Sequence, residues 1–310
     1  KKEPFGQMEK FKPDCLPVLI GSLPISDHEK ARELVFRYTP EIPLWVQLPV
    51  FKQEGMLAQF APGMPGLVTA DDKIYVDTAS ESFETELLDF YETFMAIEEG
   101  SAEIENSPFA MTPETAKGFF ALKSYLESSE SFPKAVKGQV TGPVTFCTSL
   151  ADENGKAVFY NDQLRDAAVK LLAMKAKWQA RELGKIGPRT IIFFDEPGLT
   201  GFGSSAFISI TKEEIVRCFN EVIEAVHSEG ALAGIHVCAN ADWSLILDSA
   251  ADIVSFDAYG YFDTFILYPE RIKSFLISGG IIAWGIVPTL SPEDIEKETT
   301  ESLLSDWTRK

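Results

Sequence analysis

The sequence predicts an α/β protein in which a parallel sheet is wrapped by helices and closes as a (β/α)8 TIM barrel. Three observations carry this expectation. Short apolar strand-like runs alternate with longer helix-like ones, the strand-like runs are nearly continuously apolar, and polar or reactive residues gather where those runs end. An open doubly wound sheet collects ligands mainly at one switch point, whereas a barrel collects them from many strand ends, and here seven ends are loaded.

The first strand is expected over Leu16 to Ser22, closing on the small residues Gly21 and Ser22, and a helix over Asp27 to Tyr38 follows it. A second strand, Leu44 to Leu48, carries Gln47 at its end. The stretch Phe51 to Ala79, rich in Gly, Pro and Met with a candidate hairpin in Leu67 to Val76, is too long for an ordinary connection. It reads as a lid-like insertion at about 51–79 in a single domain spanning 1–310. Helices over Ser82 to Glu99 and Pro113 to Glu127 lead to the third strand, Ala135 to Thr141, and its turn Gly142-Pro143-Val144-Thr145. A long helix, Asp162 to Lys185, precedes the fourth strand, Thr190 to Glu196. The clearest helix spans Lys212 to Glu229: Thr211 and Glu214 form a capping box, Ile215, Phe219, Val222, Ile223 and Val226 form one stripe, and Gly230 stops it. Strands over Ala231 to Cys238, Asp252 to Asp257 and Ile281 to Val287 alternate with helices over Trp243 to Ser249, Pro269 to Ile277 and Pro292 to Trp307. That makes seven strands, and the eighth strand with its helix is expected beyond Lys310.

Composition narrows the function classes. With 28 basic and 47 acidic side chains the formal charge is 28 − 47 = −19, and no block of about five or six consecutive Lys or Arg exists to attract a nucleic-acid backbone. The apolar stretches are broken by Gly, Pro, Gln and Thr and fall short of the ~20 residues a bilayer span needs. Neither nucleic acid nor membrane is expected as a partner. No charged-then-apolar leader opens the chain, and Cys15, Cys147, Cys218 and Cys238 lack disulfide-framework spacing, so a cytoplasmic location is expected.

His236-Val237-Cys238 is the sharpest chemical feature. Residues i and i+2 on a strand share a face, so an imidazole and a thiol stand side by side, a pairing that suits zinc. Asp257, ending the next strand, is the candidate carboxylate ligand; the alternative is that His236 and Cys238 are simply packed inward. Asp195-Glu196 closes the apolar run Ile191 to Phe194. These carboxylates either hold a substrate ammonium, act as acid or base, or anchor a loop. The turn Ile20-Gly21-Ser22-Leu23-Pro24 offers small residues that let a ligand carboxylate approach the backbone and the Ser22 hydroxyl. Cys147 is a reserve ligand, whereas Cys218 and His227 belong to the amphipathic helix.

Taken in order, Ile20-Gly21-Ser22-Leu23-Pro24, Gly142-Pro143-Val144-Thr145, Asp195-Glu196-Pro197, His236-Val237-Cys238 and Gly285-Ile286-Val287-Pro288 resemble the catalytic barrel of cobalamin-independent methionine synthase. The likeness extends over nearly the whole chain. The same superfamily holds uroporphyrinogen decarboxylase and corrinoid-linked methyltransferases, and Pro43 to Pro49 is similar to its decarboxylase-like branch. The resemblance implies a zinc-dependent methyltransferase of methionine biosynthesis that activates a small thiol such as homocysteine. His236 and Cys238 would be ligands, Asp195 would hold the amino group, and Gly21 with Ser22 would receive the carboxylate. Four departures stand against the family pattern. Asp257 replaces a glutamate ligand, the fourth ligand, a cysteine, would lie beyond Lys310, Thr289-Leu290-Ser291 stands where the family has a histidine, and no second, amino-terminal barrel is expected. They favour a methyl-corrinoid over a folate donor. A porphyrinogen decarboxylase would need Arg clamps near the mouth, yet no Arg lies between Tyr38 and Leu164; a third expectation is a non-catalytic barrel that binds an amino acid, corrinoid or tetrapyrrole.

Overall fold

A computed structural model describes residues 11–70, 73–203, 207 and 209–309. Eight strands appear among them: β1 (Leu67–Ala70), β2 (Lys73–Val76), β3 (Ala135–Thr141), β4 (Ala151–Asp152), β5 (Arg189–Asp195), β6 (Leu232–Val237), β7 (Ile253–Phe256) and β8 (Ile281–Trp284). The main sheet is wholly parallel, in the order β3-β5-β6-β7-β8. Helices connect its strands, as parallel neighbours require. The chain is therefore a mixed α/β protein built on a five-stranded parallel sheet.

The two expected strands at the start of the chain are reduced to extended segments with isolated parallel bridges, Ser22 to Gln47 and Leu44 to Lys137. The physical reason lies in their prolines: Pro17, Pro24, Pro43 and Pro49 lack the N–H that a continuous ladder uses. Their backbone bonds still fix an order. The Gln47 amide donates to the Gly21 carbonyl at 3.0 Å, and the Lys137 amide donates to the Pro43 carbonyl at 2.9 Å. The segment around 16–22 thus lies beside 44–48, which lies beside β3.

Alternation along each strand creates two apolar environments. One face of the sheet, with Val136, Ile192, Phe194, Ile235, Val237, Val254 and Phe256, packs against the helices in the largest cluster. On the other face Leu16, Val18, Ile42, Ala135, Ile191, Phe193, Leu232, Ile253, Ile281 and Ala283 meet in one cluster, so all seven successive extended segments contribute to it. The long helix Asp162–Gly184 is buried along much of its length because it lies under the sheet and beside the helix Lys212–His227, whose capping box at Thr211 and Glu214 is formed.

Segment 51–79 folds as a 3-10 turn Lys52–Glu54, a short helix Met56–Phe60 and the antiparallel hairpin β1–β2. It is anchored by Glu54, which is buried, accepts from the Leu48 amide at 2.7 Å and meets His28 Nε2 at 2.6 Å. The Thr141 hydroxyl donates to the Met56 carbonyl at 2.8 Å, placing this segment over the carboxyl end of β3. The helix Lys117–Glu127 seats the second extended segment by close approach at Gly118, where an added Cβ would lie 2.0 Å from the Val46 carbonyl oxygen. Gly118→Ala is therefore expected to cost about 1–3 kcal/mol through forced displacement of backbone. Urea unfolding checks this, and an unchanged midpoint would contradict the close approach.

Candidate functional site

The strand register assembles the site. In the parallel ladders Thr141 pairs with Asp195, Asp195 with His236, and His236 with Ser255. Residues two apart share a face, so Lys137, Gln139 and Thr141 of β3, Phe193 and Asp195 of β5, His236 with Cys238 beyond β6, and Ser255 with Asp257 beyond β7 all turn toward one side. The apolar cluster of the seven segments floors that side, and the carboxyl ends carry its polar groups.

His236 is 9% exposed, and its Nδ1 lies 3.0 Å from the Ser255 hydroxyl, which leaves Nε2 as the nitrogen facing any ligand. Burial, aided by the positive charge of Lys137, lowers its pKa to about 4, so the ring is neutral at pH 7. A neutral, oriented imidazole is the form that binds a metal. Cys238 is partly exposed and free, and its pKa is raised by burial and by the negative charges of Asp195 and Asp257. Without a nearby cation this thiol stays protonated.

The adjacent carboxylates face opposite ways, as period-two geometry demands. Asp195 turns into the site, where its Oδ1 is buried and has no hydrogen-bond partner among the described residues. Burial raises its pKa and Lys137 opposes that rise. Glu196 turns toward the helices and is 0% exposed. Its carboxylate accepts from the amides of Val144 (2.9 Å) and Thr145 (2.8 Å) and from the Thr145 hydroxyl (2.5 Å) at the start of the helix Pro143–Ser149. Glu196 thus turns away from the face that carries Asp195 and anchors the loop at Val144 and Thr145. Gly142 permits this contact, since a Cβ there would lie 2.2 Å from the Glu196 carboxyl carbon.

Asp257 ends β7 beside Cys238 but caps the helix Ala258–Phe265, its Oδ1 accepting from the Gly260 amide at 3.0 Å. Among the described residues no three His, Cys, Asp or Glu side chains stand together as a ready metal site. Gly21 is buried against Gln47 and Gln139, whereas Ser22 is exposed at the mouth. Cys147 lies within the helix Pro143–Ser149, buried in the helix-side apolar cluster with its pKa pushed well up by burial, and so stands away from this face of the sheet.

Two residues escaped sequence reasoning. Ser255 orients His236, and Lys137 places a buried ammonium below the site. The signal for Lys137 was present: a lysine alternating with Gln139 in the middle of a strand buried throughout. No helix of the described residues is long and apolar enough to cross a membrane. No protein-family model matches the chain, and no curated protein matches it significantly.

Glu196 supplies a pH test of this layout. Burial pushes its pKa from 4.5 up to about 7, against the bonds from Thr145 and Val144 and with some help from Asp195. A group raised on folding stabilises fully below its unfolded value and loses that contribution as pH rises through its folded one. Glu196→Gln is therefore expected to abolish one component of the stability loss between pH 4.5 and about 7. Parallel stability profiles of the two proteins across that window would contradict the burial of Glu196.

Proposed function

We propose that the chain is a zinc-dependent methyltransferase that activates a small thiol, with homocysteine the best fit and a methyl-corrinoid or folate as donor. The observation that carries this reading is the His236–Cys238 pair. It stands on one face of a strand end, with the imidazole oriented by Ser255, next to the unsatisfied oxygen of Asp195. A (β/α)8 barrel is the architecture we propose for it. The consecutive order of the seven extended segments and their common apolar cluster support closure.

The donor chemistry fits zinc. The ion accepts nitrogen and sulfur together, the imidazole is held neutral, and the thiol needs a nearby cation to ionise. His236 Nε2 and Cys238 Sγ would hold it, with the second oxygen of Asp257 as the carboxylate donor once Oδ1 has capped its helix. Bound there, the ion supplies Lewis-acid charge that keeps a substrate thiol deprotonated at neutral pH. The remaining work falls to the chain's own groups. Asp195 receives the substrate ammonium at Oδ1, the Gly21–Ser22 turn receives the carboxylate, and the floor cluster keeps water from beneath the thiol.

A second reading, a non-catalytic barrel that binds an amino acid or a corrinoid, is favoured by one observation. Asp257 already serves as a helix cap, which leaves two strong metal donors in place. A uroporphyrinogen decarboxylase has less support, because among the described residues no arginine stands at the carboxyl ends of β3, β5, β6 or β7, where polycarboxylate clamps would be needed.

Two substitutions separate these roles. Cys238→Ser is expected to lower zinc affinity by well over tenfold, more than the ~10- to 100-fold range begins at for groups that only orient ligands. Unchanged zinc retention on dialysis would sink the ligand assignment. Asp195→Asn is expected to weaken binding of L-homocysteine about tenfold or more while zinc content stays the same. Equal loss of thiol and metal would make Asp195 a structural residue instead.

A further inference from the structure

The interior below the strand ends holds two polar groups whose hydrogen-bonding capacity the described residues do not fill. Lys137 is 1% exposed, and its ammonium donates to the Ile20 carbonyl and to Gln139 Oε1 at 3.3 Å, while lying 4.8 Å from the centre of the Phe193 ring. Both acceptors are neutral oxygens. An ammonium carries three N–H groups, so one of them has no acceptor among the described residues. On the neighbouring strand and the same face, Asp195 Oδ1 is buried with no donor among the described residues.

The two charges are near enough to influence each other's titration, yet they form no ion pair. A buried ammonium met only by neutral oxygens is a favourable place for an anionic ligand group, and an unsatisfied buried carboxylate oxygen is a favourable place for a cationic one. A ligand that carries both charges a short distance apart satisfies both at once. Lys137 also holds the Ile20 carbonyl, so the Gly21–Ser22 turn beside it is fixed against Gln47 and Gln139, with 2.8 Å from a Gly21 Cβ to Gln47 Oε1. No side chain fits at Gly21.

We propose that Lys137 is a specificity-determining residue: its remaining N–H receives the α-carboxylate of the amino acid whose ammonium Asp195 holds, so that the site selects amino acids over plain amines. This rests on the reading of the site as one for an amino-acid thiol. Lys137 and the Gly21–Ser22 turn share the carboxylate, and Asp195 and the sulfur end set the ligand's direction.

The test is calorimetric titration of the zinc-loaded chain with L-homocysteine and with 3-aminopropane-1-thiol, which lacks only the carboxylate. The parent protein is expected to prefer L-homocysteine by about tenfold to a hundredfold, the worth of a hydrogen bond to a charged group. Lys137→Met is expected to bring that ratio close to one, with zinc content and affinity for 3-aminopropane-1-thiol retained. Lys137→Arg, which keeps the cation, is expected to keep most of the preference, and Lys137→Gln replaces the Met variant if that protein does not fold. An undiminished preference, or equal weakening of both thiols, overturns the role of Lys137. If the parent protein binds both thiols equally, the specificity role fails while the thiol site stands; if it binds neither, the thiol site itself fails and takes this role with it.

Discussion

Strand register is the constraint on which the rest of the site depends. Because Asp195 lies opposite His236 and His236 opposite Ser255, three strands must hold their relative positions for the imidazole to be oriented and the carboxylate to stand beside it. A slip of one residue on β6 would turn His236 and Cys238 outward together and bring Val237 in. The register is held by the apolar demands of both faces. The helix-side residues Ile235 and Val237 and the inward residues Leu232 and Ile253 leave no alternative alignment that buries both sets.

The same alternation explains how charge is distributed between the two faces. Asp195 and Glu196 are neighbours in sequence but serve different environments. One is left with an unmet oxygen in the site, and the other is saturated by Val144 and Thr145 at a helix start. Burial raises the pKa of both carboxyls, so that shift alone does not mark a functional group. What separates them is whether the protein itself satisfies the oxygens. By that criterion Asp195 is open and Glu196 is closed.

Much of this organisation was legible in the sequence. The strands Ala135–Thr141 through Ile281–Trp284 follow from near-continuous apolar runs, and the helix Lys212–His227 follows from its capping box and stripe. The early strands were only half legible, because apolar character at Leu16 to Ser22 and Leu44 to Leu48 was read without the prolines that interrupt their ladders. The helices Pro143–Ser149 and Ala258–Phe265 leave little trace in the sequence, because the first opens with the turn signal Gly142-Pro143 and the second is too short to show a period. The expected final helix, Pro292 to Trp307, divides into Pro292–Lys297 and Thr300–Arg309. At the site, His236 and Cys238 were visible from their i, i+2 spacing. The capping role of Asp257 and the anchoring of Glu196 were not, because each depends on an amide brought in by folding.

The central claim is that His236 and Cys238 form a metal-binding pair whose ion activates a thiol held by its neighbours. Anomalous diffraction at the zinc edge, from crystals of protein purified without chelator and supplied with zinc, tests it most directly. The account predicts one zinc peak at about 2.0–2.1 Å from His236 Nε2 and about 2.3 Å from Cys238 Sγ. Zinc-supplied crystals with no peak at this pair, or with the ion bound elsewhere, would contradict it.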